Sequence, residues 1–337
     1  MELSTPHVTI QHSAPAYPGR HALGVHSLSQ SITGWQQVYD QLSPGHFQGA
    51  LNELFMGPAQ IFLEFSSHAL VQTCNTWSDS LWFGIPVQRG QVSQVEGVPI
   101  GEDTIAVRSG KTEFQLTTPD NFGFFGVVVK EDLLKRYLEQ EHGSDCLDKL
   151  LSYPVLKIDV AAIDSLRWWL AHTLYNFPNI PEPESSQAMD FILEETLSRI
   201  GLLLGQQARQ PKETVSSSHA RRVIQRVQAY VMDNKDRCIK VHDLCEQLGI
   251  SRRALQDCFH KTMGCTPKAY LSAFGLNAAR RELEEKTPEQ TTVSDVATRH
   301  GFWHLSQFAT DYRKFFGELP SQTLRKKSQQ SEVSRHI

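Results

Sequence analysis

The sequence contains no apolar run approaching the roughly 18 residues that a membrane-crossing helix needs, and no secretory signal pattern opens it. A cytoplasmic protein with reduced thiols is expected. Its six cysteines (Cys74, Cys146, Cys238, Cys245, Cys258 and Cys265) form no CxxC pair, so neither a redox dithiol nor a structural zinc module is expected. Also missing are a phosphate-binding glycine loop, an HExxH helix, a G-x-S-x-G elbow and any paired-carboxylate constellation. The 14 histidines allow many conceivable triads, but no local geometry ties one together. No catalytic residue and no metal ligand is assigned, and the chain is expected not to be an enzyme.

What is present suits two domains. A chain of 337 residues is long for one ordinary domain, and 40% hydrophobic residues supply real cores. The net charge of −4 hides an asymmetry. From His219 to Gln330 there are 19 Lys/Arg and 12 Asp/Glu, a net of +7, whereas Met1 to Ser218 holds 13 and 24, a net of −11. A basic C-terminal part on an acidic body points to a polyanion partner for the former only. The plain alternative is a solvated basic face.

The stretch from Ile239 to Arg325 carries the most specific pattern. Val241, Leu244, Cys245 and Leu248 fall at i, i+3, i+4 and i+7, one face of a helix. Gly249 makes a turn and Ser251 caps the next helix. There Leu255, Cys258, Phe259 and Met263 face inward and leave Arg252, Arg253, Gln256, Asp257, His260 and Lys261 outside. Thr266-Pro267 then opens a longer helix to about Lys286, spanning about 28 Å. That length is near the one-turn spacing of roughly 34 Å between successive major grooves. A second unit follows. Thr292 caps Val293, Val296 and Ala297, with Asp295 as a short capping box. Gly301 ends that helix, and Phe308, Tyr312, Phe315 and Phe316 form a new stripe closed by Gly317 and Pro320. These are two helix-turn-helix units in tandem, at about 239–263 and 291–316.

Gly301-Phe302, Phe308, Phe315-Phe316-Gly317 and Pro320-Ser321 resemble the signature of the AraC/XylS family of bacterial transcription regulators. Gly275 stands where that family usually has a basic residue, Tyr312 replaces a usual Phe, and His304 sits where a capping Ser or Asp is common. The resemblance implies a sequence-specific DNA-binding activator. Arg252, Arg253, Gln256, Asp257 and His260 would read DNA from the first unit, and His304, Leu305, Ser306, Ala309, Thr310 and Arg313 from the second. Implied partners are double-stranded promoter DNA, RNA polymerase, a small-molecule effector and a second copy of the chain.

The N-terminal half reads differently. Residues 1–30 carry Pro6, Pro15, Pro18 and scattered His without periodicity, and are expected to include a loose arm. Ile32 to Leu42 places Trp35, Val38, Tyr39 and Leu42 at helical spacing, with Thr33 as a cap, and so predicts a helix. Short apolar runs follow at Ala50–Phe55, Gln60–Phe65, Ala69–Thr73, Leu81–Val87, Ile105–Arg108, Glu113–Thr117 and Phe122–Val129. They predict a β-sandwich or barrel of seven or eight strands. Helices are expected at Glu131–Glu141, Val160–Phe177 and Ser186–Gln207, with Pro178–Pro183 as a break. The apolar stripe of the last of these is either core or a dimer seam. Ser-rich Arg209–Ser218 reads as the linker, and Arg221–Asp233 as the first helix of the C-terminal domain. The predicted class is α+β. Residues 1–208 form a β-rich sensor with flanking helices, 209–218 the linker, and 219–328 an all-α DNA-binding domain.

Within the family, Trp35–Gly49, Leu81–Pro86, Gly110–Asp120 and Gly126–Val129 resemble the sensor domains of regulators of ethanolamine utilisation, and Arg252–Gln256 and Gly301–Tyr312 resemble their reading helices. That resemblance implies ethanolamine together with adenosylcobalamin as effectors; other small amines or alcohols are the alternative. No cofactor is expected to be needed for folding. The aromatic-rich strands around Trp77, Trp82 and Phe83, with Glu53, Glu64 and Asp79 as nearby carboxylates, are the expected effector site. An amine needs a carboxylate or aromatic faces to replace its water.

Overall fold

A computed structural model describes residues 19–142, 153–177, 185–205, 215–234 and 237–333. Alternating and near-continuous apolar segments pair as antiparallel strands in two sheets. The strands are β1 (Arg20–Ala22), β2 (Gln36–Gln41), β3 (Gly49–Phe55), β4 (Ala59–Ser66), β5 (Leu70–Asn75) and β6 (Ser80–Pro86). There follow β7 (Ser93–Val95), β8 (Val98–Ile100), β9 (Thr104–Ser109), β10 (Phe114–Thr118), β11 (Phe122–Lys130) and β12 (Val155–Lys157). The larger sheet runs β1-β3-β4-β11-β6-β9-β12 and the smaller β2-β5-β10-β7-β8. All seven predicted runs are strands.

The period-2 rule divides the side chains of the larger sheet between two cores. One face, with Phe62, Trp82, Phe124 and Val128, meets Tyr39, Leu70, Phe114 and Leu116 of the smaller sheet. The other face, with Ile61, Leu63, Phe83 and Val127, is covered by helices. Gly126 leaves the space that the Phe62 ring fills; a Cβ there would lie 2.0 Å from the ring.

The covering helices are α2 (Glu131–His142), α3 (Val160–Asn176) and α4 (Ser185–Gly205), after the short α1 (Val25–Ser29). Asp159 caps α3 by accepting from the amides of Ala161 and Ala162. Ile192, Thr196, Leu197, Ile200, Leu203 and Leu204 of α4 are buried, the apolar ones in the helix-covered core. The stripe is therefore core.

Three expectations need correction, the first being the strand number: among the described residues the two sheets hold twelve strands, not seven or eight. Ile32–Leu42 is not a helix, because Gln36–Gln41 is strand β2, paired with β5 from Gln36↔Asn75 to Gln41↔Leu70. Tyr39 points inward and is 3% exposed, while Val38 is 42% exposed. Thr33 caps nothing; its amide and hydroxyl bind Glu53. Within residues 1–30, where a loose arm is expected, β1 and α1 occupy Arg20–Ala22 and Val25–Ser29; residues 1–18 lie outside the described residues. Pro320 does not simply close the second unit, for it starts a further helix. The break Pro178–Pro183 lies outside the described residues, as does most of the linker, although helix is present from Val215.

The C-terminal half is helical: α5 (Val215–Asp233), α6 (Val241–Leu248), α7 (Arg252–Met263), α8 (Pro267–Glu285), α9 (Val293–Arg299), α10 (Leu305–Phe316) and α11 (Pro320–Val333). Gly249, with φ of 65°, makes the left-handed turn between α6 and α7 that a side chain would strain. Ser251 caps α7 and Thr266 caps α8, each accepting an amide at 3.2 Å. α8 has 19 residues and joins two small cores. One holds Leu244, Leu248, Leu255 and Phe259; the other holds Leu283, Val296, Phe308, Tyr312 and Phe316.

Candidate functional site

Each unit presents the N-terminal end of its second helix outward. On α7, Leu255, Cys258 and Phe259 are buried, so the opposite face must carry Arg252, Arg253, Gln256, Asp257 and His260; all five are exposed. A guanidinium and a carboxamide with free donors and acceptors are the groups that match base edges in a major groove. Lys261 extends this face.

On α10, Phe308, Tyr312 and Phe316 are buried. His304, Leu305, Ser306, Thr310 and Arg313 are exposed and Ala309 half-buried. The polar supply is thinner than on α7. Thr310 spends its hydroxyl proton on the Ser306 carbonyl at 2.9 Å, and Gln307 is held by Asp311 at 2.8 Å. His304 occupies the N-cap without a capping hydrogen bond. Immediately before it, Trp303 is 73% exposed. An indole bare to solvent beside the exposed face of α10 is a candidate contact residue that the stripe rule passed over, since that rule looks for buried aromatics. Its place in the turn between two helices was the available signal.

Between the units lies a groove of about 340 Å³. Leu271, Phe274, Ala278 and Phe302 give it an apolar lining, and Arg237, Lys240 and Lys268 stand at it. Gly275 faces it too, and a Cβ there would meet the Phe302 ring at 3.3 Å. The position that lacks the family's basic side chain is thus one where an aromatic ring leans on the helix. Arg299 is committed elsewhere, to Glu282 at 2.6 Å and Thr291 at 2.8 Å. His300 completes this cluster on Glu282 at 2.9 Å. Burial works against the Glu282 charge, but these two partners outweigh it and hold its carboxyl below the usual range.

The expected sensor residues do not all converge. Trp82 and Glu64, each 1% exposed, lie between the two sheets. Phe83, next along β6, necessarily points to the other face and belongs to the helix-covered core. Trp77 packs at the margin of the inter-sheet core and against Phe55. Asp79 lies on the surface with Lys130 at 3.5 Å. Glu53 is tied to Arg20, Thr33 and Gln60.

Sequence reading missed what surrounds Glu64. Tyr39 donates its hydroxyl to Glu64 at 2.8 Å and Gln72 its amide at 2.7 Å. Among the described residues no cationic side chain pairs with it. Burial pushes its carboxyl up to about 7, against the pull of those two donors. The Trp82 indole N–H and the Gln72 carbonyl oxygen are buried without partners among the described residues. Trp35, Phe62, Trp82 and Phe114 form the adjoining ring cluster, Trp82 and Phe114 stacked at 4.7 Å.

Among the described residues no group of His, Cys, Asp and Glu is placed to hold a metal ion, and no helix is long and apolar enough to cross a membrane.

A family profile described as a helix-turn-helix domain matches residues 244–326. The chain is similar to a "XylDLEGF operon transcriptional activator" of Pseudomonas putida, 38% identical over 101 residues, which is 30% of this chain and 32% of that protein. It is 36% identical over 119 residues to "XylDLEGF operon transcriptional activator 2" of the same species, covering 33% of this chain and 76% of that protein. Among solved structures, a "probable AraC family transcriptional regulator" from Rhodopseudomonas palustris is 36% identical, covering 31% of this chain and 96% of that one, with a TM-score of 0.29. The chain spans about a third of the length of the first curated relatives it matches.

Proposed function

Because the chain belongs to the AraC/XylS family of transcription regulators, we propose that it is a DNA-binding activator that reads promoter DNA and answers to a small-molecule effector. The observation that carries this reading is the tandem arrangement. Two helix-turn-helix units are joined by the single 19-residue helix α8, each burying the apolar side of its second helix and exposing the polar side. Arg253 and Gln256 on α7 read bases, Trp303 and α10 make looser contacts in the adjacent groove, and Lys240 and Lys268 meet phosphates. RNA polymerase is the partner that activation requires. A second copy is also proposed; Trp168 at 55%, Tyr175 at 66% and Phe191 at 57% exposure on α3 and α4 support it. A cytoplasmic location goes with these roles.

The test uses the full chain and duplexes enriched by it from a randomised pool, with binding followed by fluorescence anisotropy. Affinity should fall by roughly 10³ to 10⁵ between about 50 and 200 mM salt, as counterion release from several phosphates requires. A flat salt response contradicts the proposal.

For the effector we propose a small amine held between the sheets, ethanolamine being the one that the resemblance of Trp35–Gly49 and Leu81–Pro86 suggests. Glu64 supports an amine: a buried carboxyl without a cation would be ionised by a bound ammonium, beside rings suited to cation–π contact. Tyr39 and Gln72, which hold Glu64, lie on β2 and β5, strands that touch the C-terminal helices through Gln41 and Val71. Adenosylcobalamin rests on the resemblance alone. A corrin does not fit between the sheets, where the rings of Trp35, Phe62, Trp82 and Phe114 already touch. Regulation of another amine or alcohol operon is the alternative. Calorimetric titration with ethanolamine, with and without adenosylcobalamin, separates these readings; no heat from folded protein in either case removes ethanolamine.

A further inference from the structure

Helix C-termini leave four carbonyls without intrahelical partners, and both reading helices meet the sensor domain there. Gln94 on β7 donates its side-chain amide to the Thr262 carbonyl near the end of α7. Gly45, in the loop after β2, donates its backbone N–H to the Phe315 carbonyl near the end of α10 at 2.8 Å. The Gln41 side-chain amide, which donates to the Ser43 and Gly45 carbonyls at 2.7 and 3.0 Å, also lies 3.3 Å from the Phe315 carbonyl.

The connecting helix is seated on the same sheet. Asn277 of α8, 3% exposed, treats edge strand β2 as a neighbouring peptide would. Its Oδ1 accepts from the Gln41 N–H at 3.1 Å, and its Nδ2 donates to the Gln41 carbonyl at 2.8 Å. One turn along α8, Arg281 pairs with Asp40. On the far side of the sheet, Gln225 of α5 donates to the Glu96 carbonyl in the β7–β8 turn at 2.9 Å. Val71 packs among Ala220, Val223 and Val227 between these points.

We infer that the five-stranded sheet is a brace that fixes the mutual orientation of the two reading helices, with Gln94, Gln41 and Asn277 as positioning residues for DNA reading. This deepens the proposal of DNA binding and rests on it. Two features separate a brace from ordinary packing. Apolar side chains would suffice to fill a contact, whereas these amides bind carbonyls and a strand edge whose hydrogen bonds have one geometry. The sheet also grips the ends of α7 and α10 that lie away from DNA. Arg252, Arg253, Gln256, His304, Ser306 and Thr310 all stay exposed beside it, so the sensor holds the readers without masking them. Contacts between domains permit relative motion by default; directional bonds at three separate points oppose it.

The experiment measures tolerance to spacing. Full-length protein first enriches duplexes from a randomised pool. The preferred duplex is then rebuilt with one or two base pairs inserted between its two contacted segments, and anisotropy gives both affinities. The wild type should lose at least ~10-fold on the inserted duplex, because a rigid reader cannot follow the changed twist. The double variant Gln94→Leu with Asn277→Leu should bind the two duplexes within about 2-fold of each other. Gln94→Leu alone, at a half-buried site, should narrow the gap part-way and serves if the double variant does not fold. Circular dichroism and thermal melting check the fold, and a merely structural role would lower the melting temperature without changing the spacing ratio. A folded variant that keeps the wild-type spacing penalty overturns the brace and leaves DNA reading intact. A wild type that enriches no duplex overturns both.

Discussion

The first helix-turn-helix unit closes on Leu244, Leu248, Leu255 and Phe259 and borrows Val71 from the five-stranded sheet. The second closes around a charge. Arg280 of α8, 9% exposed, lies over the Phe316 ring at 4.6 Å and pairs with Glu284 at 2.8 Å and Glu318 at 2.9 Å. Thr323 of α11 joins the same group through the Tyr312 hydroxyl at 2.9 Å and Glu318 at 3.0 Å. Their outward faces differ in the opposite sense. α7 offers two arginines, a glutamine, an aspartate and a histidine, while α10 begins at Leu305, after Trp303 and His304, and offers fewer free hydrogen-bonding groups. Under the proposed function, the contrast predicts a division of labour, with base discrimination in the first unit and anchoring in the neighbouring groove by the second.

The largest effect should come from breaking the charged core. Arg280→Leu leaves Glu284 without its cation and Glu318 with Lys326 alone, and should cost about 3 kcal/mol in urea unfolding. Amide exchange should locate the loss in residues 305–333, with 252–263 still protected. A cost below about 1 kcal/mol would show that the second unit is held by apolar packing after all. The same network makes the second unit acid-sensitive. Burial opposes the Glu318 charge, but Lys326 and Arg280 hold its carboxyl below the ordinary value of 4.5. A carboxylate depressed on folding contributes stability above its unfolded pKa and loses it as pH falls through the folded one. Exchange in α10 and α11 should therefore rise before exchange in α7 as pH drops below about 4.5. Simultaneous loosening would erase the distinction.

Next in size is the reading face. Gln256→Ala should cost about 1–3 kcal/mol on the enriched duplex and little on random DNA. Leu305→Ala and Trp303→Ala should weaken both kinds of duplex by similar factors. Equal losses for Gln256→Ala on both would demote it to a backbone contact, and a selective loss at Leu305 would move discrimination into the second unit.

The smallest effects are at the helix starts. Ser251→Ala removes the cap of α7 and should cost about 1 kcal/mol, whereas His304→Ser gives α10 the cap it lacks and should gain up to about 1 kcal/mol. Thermal melting reads both. Loss of stability on His304→Ser would mean that the imidazole has a role in the turn that the hydrogen bonds do not reveal.

How far the sequence disclosed these features depended on whether the signal was local. Caps, glycine turns and i, i+3, i+4 stripes depend on residues a few positions apart, so α6 to α10 were legible almost to the residue. The long strands β4, β6 and β11 were legible because both faces are covered and their apolar runs are continuous. β2 was misread because Trp35, Val38 and Tyr39 satisfy a helical spacing as well as a strand. What decides for strand is non-local: pairing with β5 and the hydroxyl that Tyr39 sends to Glu64. The short hairpin β7–β8 turns at Glu96-Gly97, both with positive φ, 51° and 70°. That x-Gly turn signal was readable, but strands of three residues gave it no flanking pattern. For the expected effector site, composition grouped Trp82, Phe83 and Glu64 but could not tell that Phe83 faces away from the other two. Register, which no single stretch encodes, makes that choice. Asn277, Gln94 and Gln41 were invisible for the same reason, since their partners are distant in sequence.

A methylation-protection footprint of the 337-residue protein on its enriched duplex tests reading by both units most directly. Two protected major-groove segments, their centres about one helical turn apart (~10 bp), are predicted, with Gln256→Ala removing base preference in one segment only. A single protected segment, or protection that ignores the major groove, would contradict a protein that reads DNA with both units.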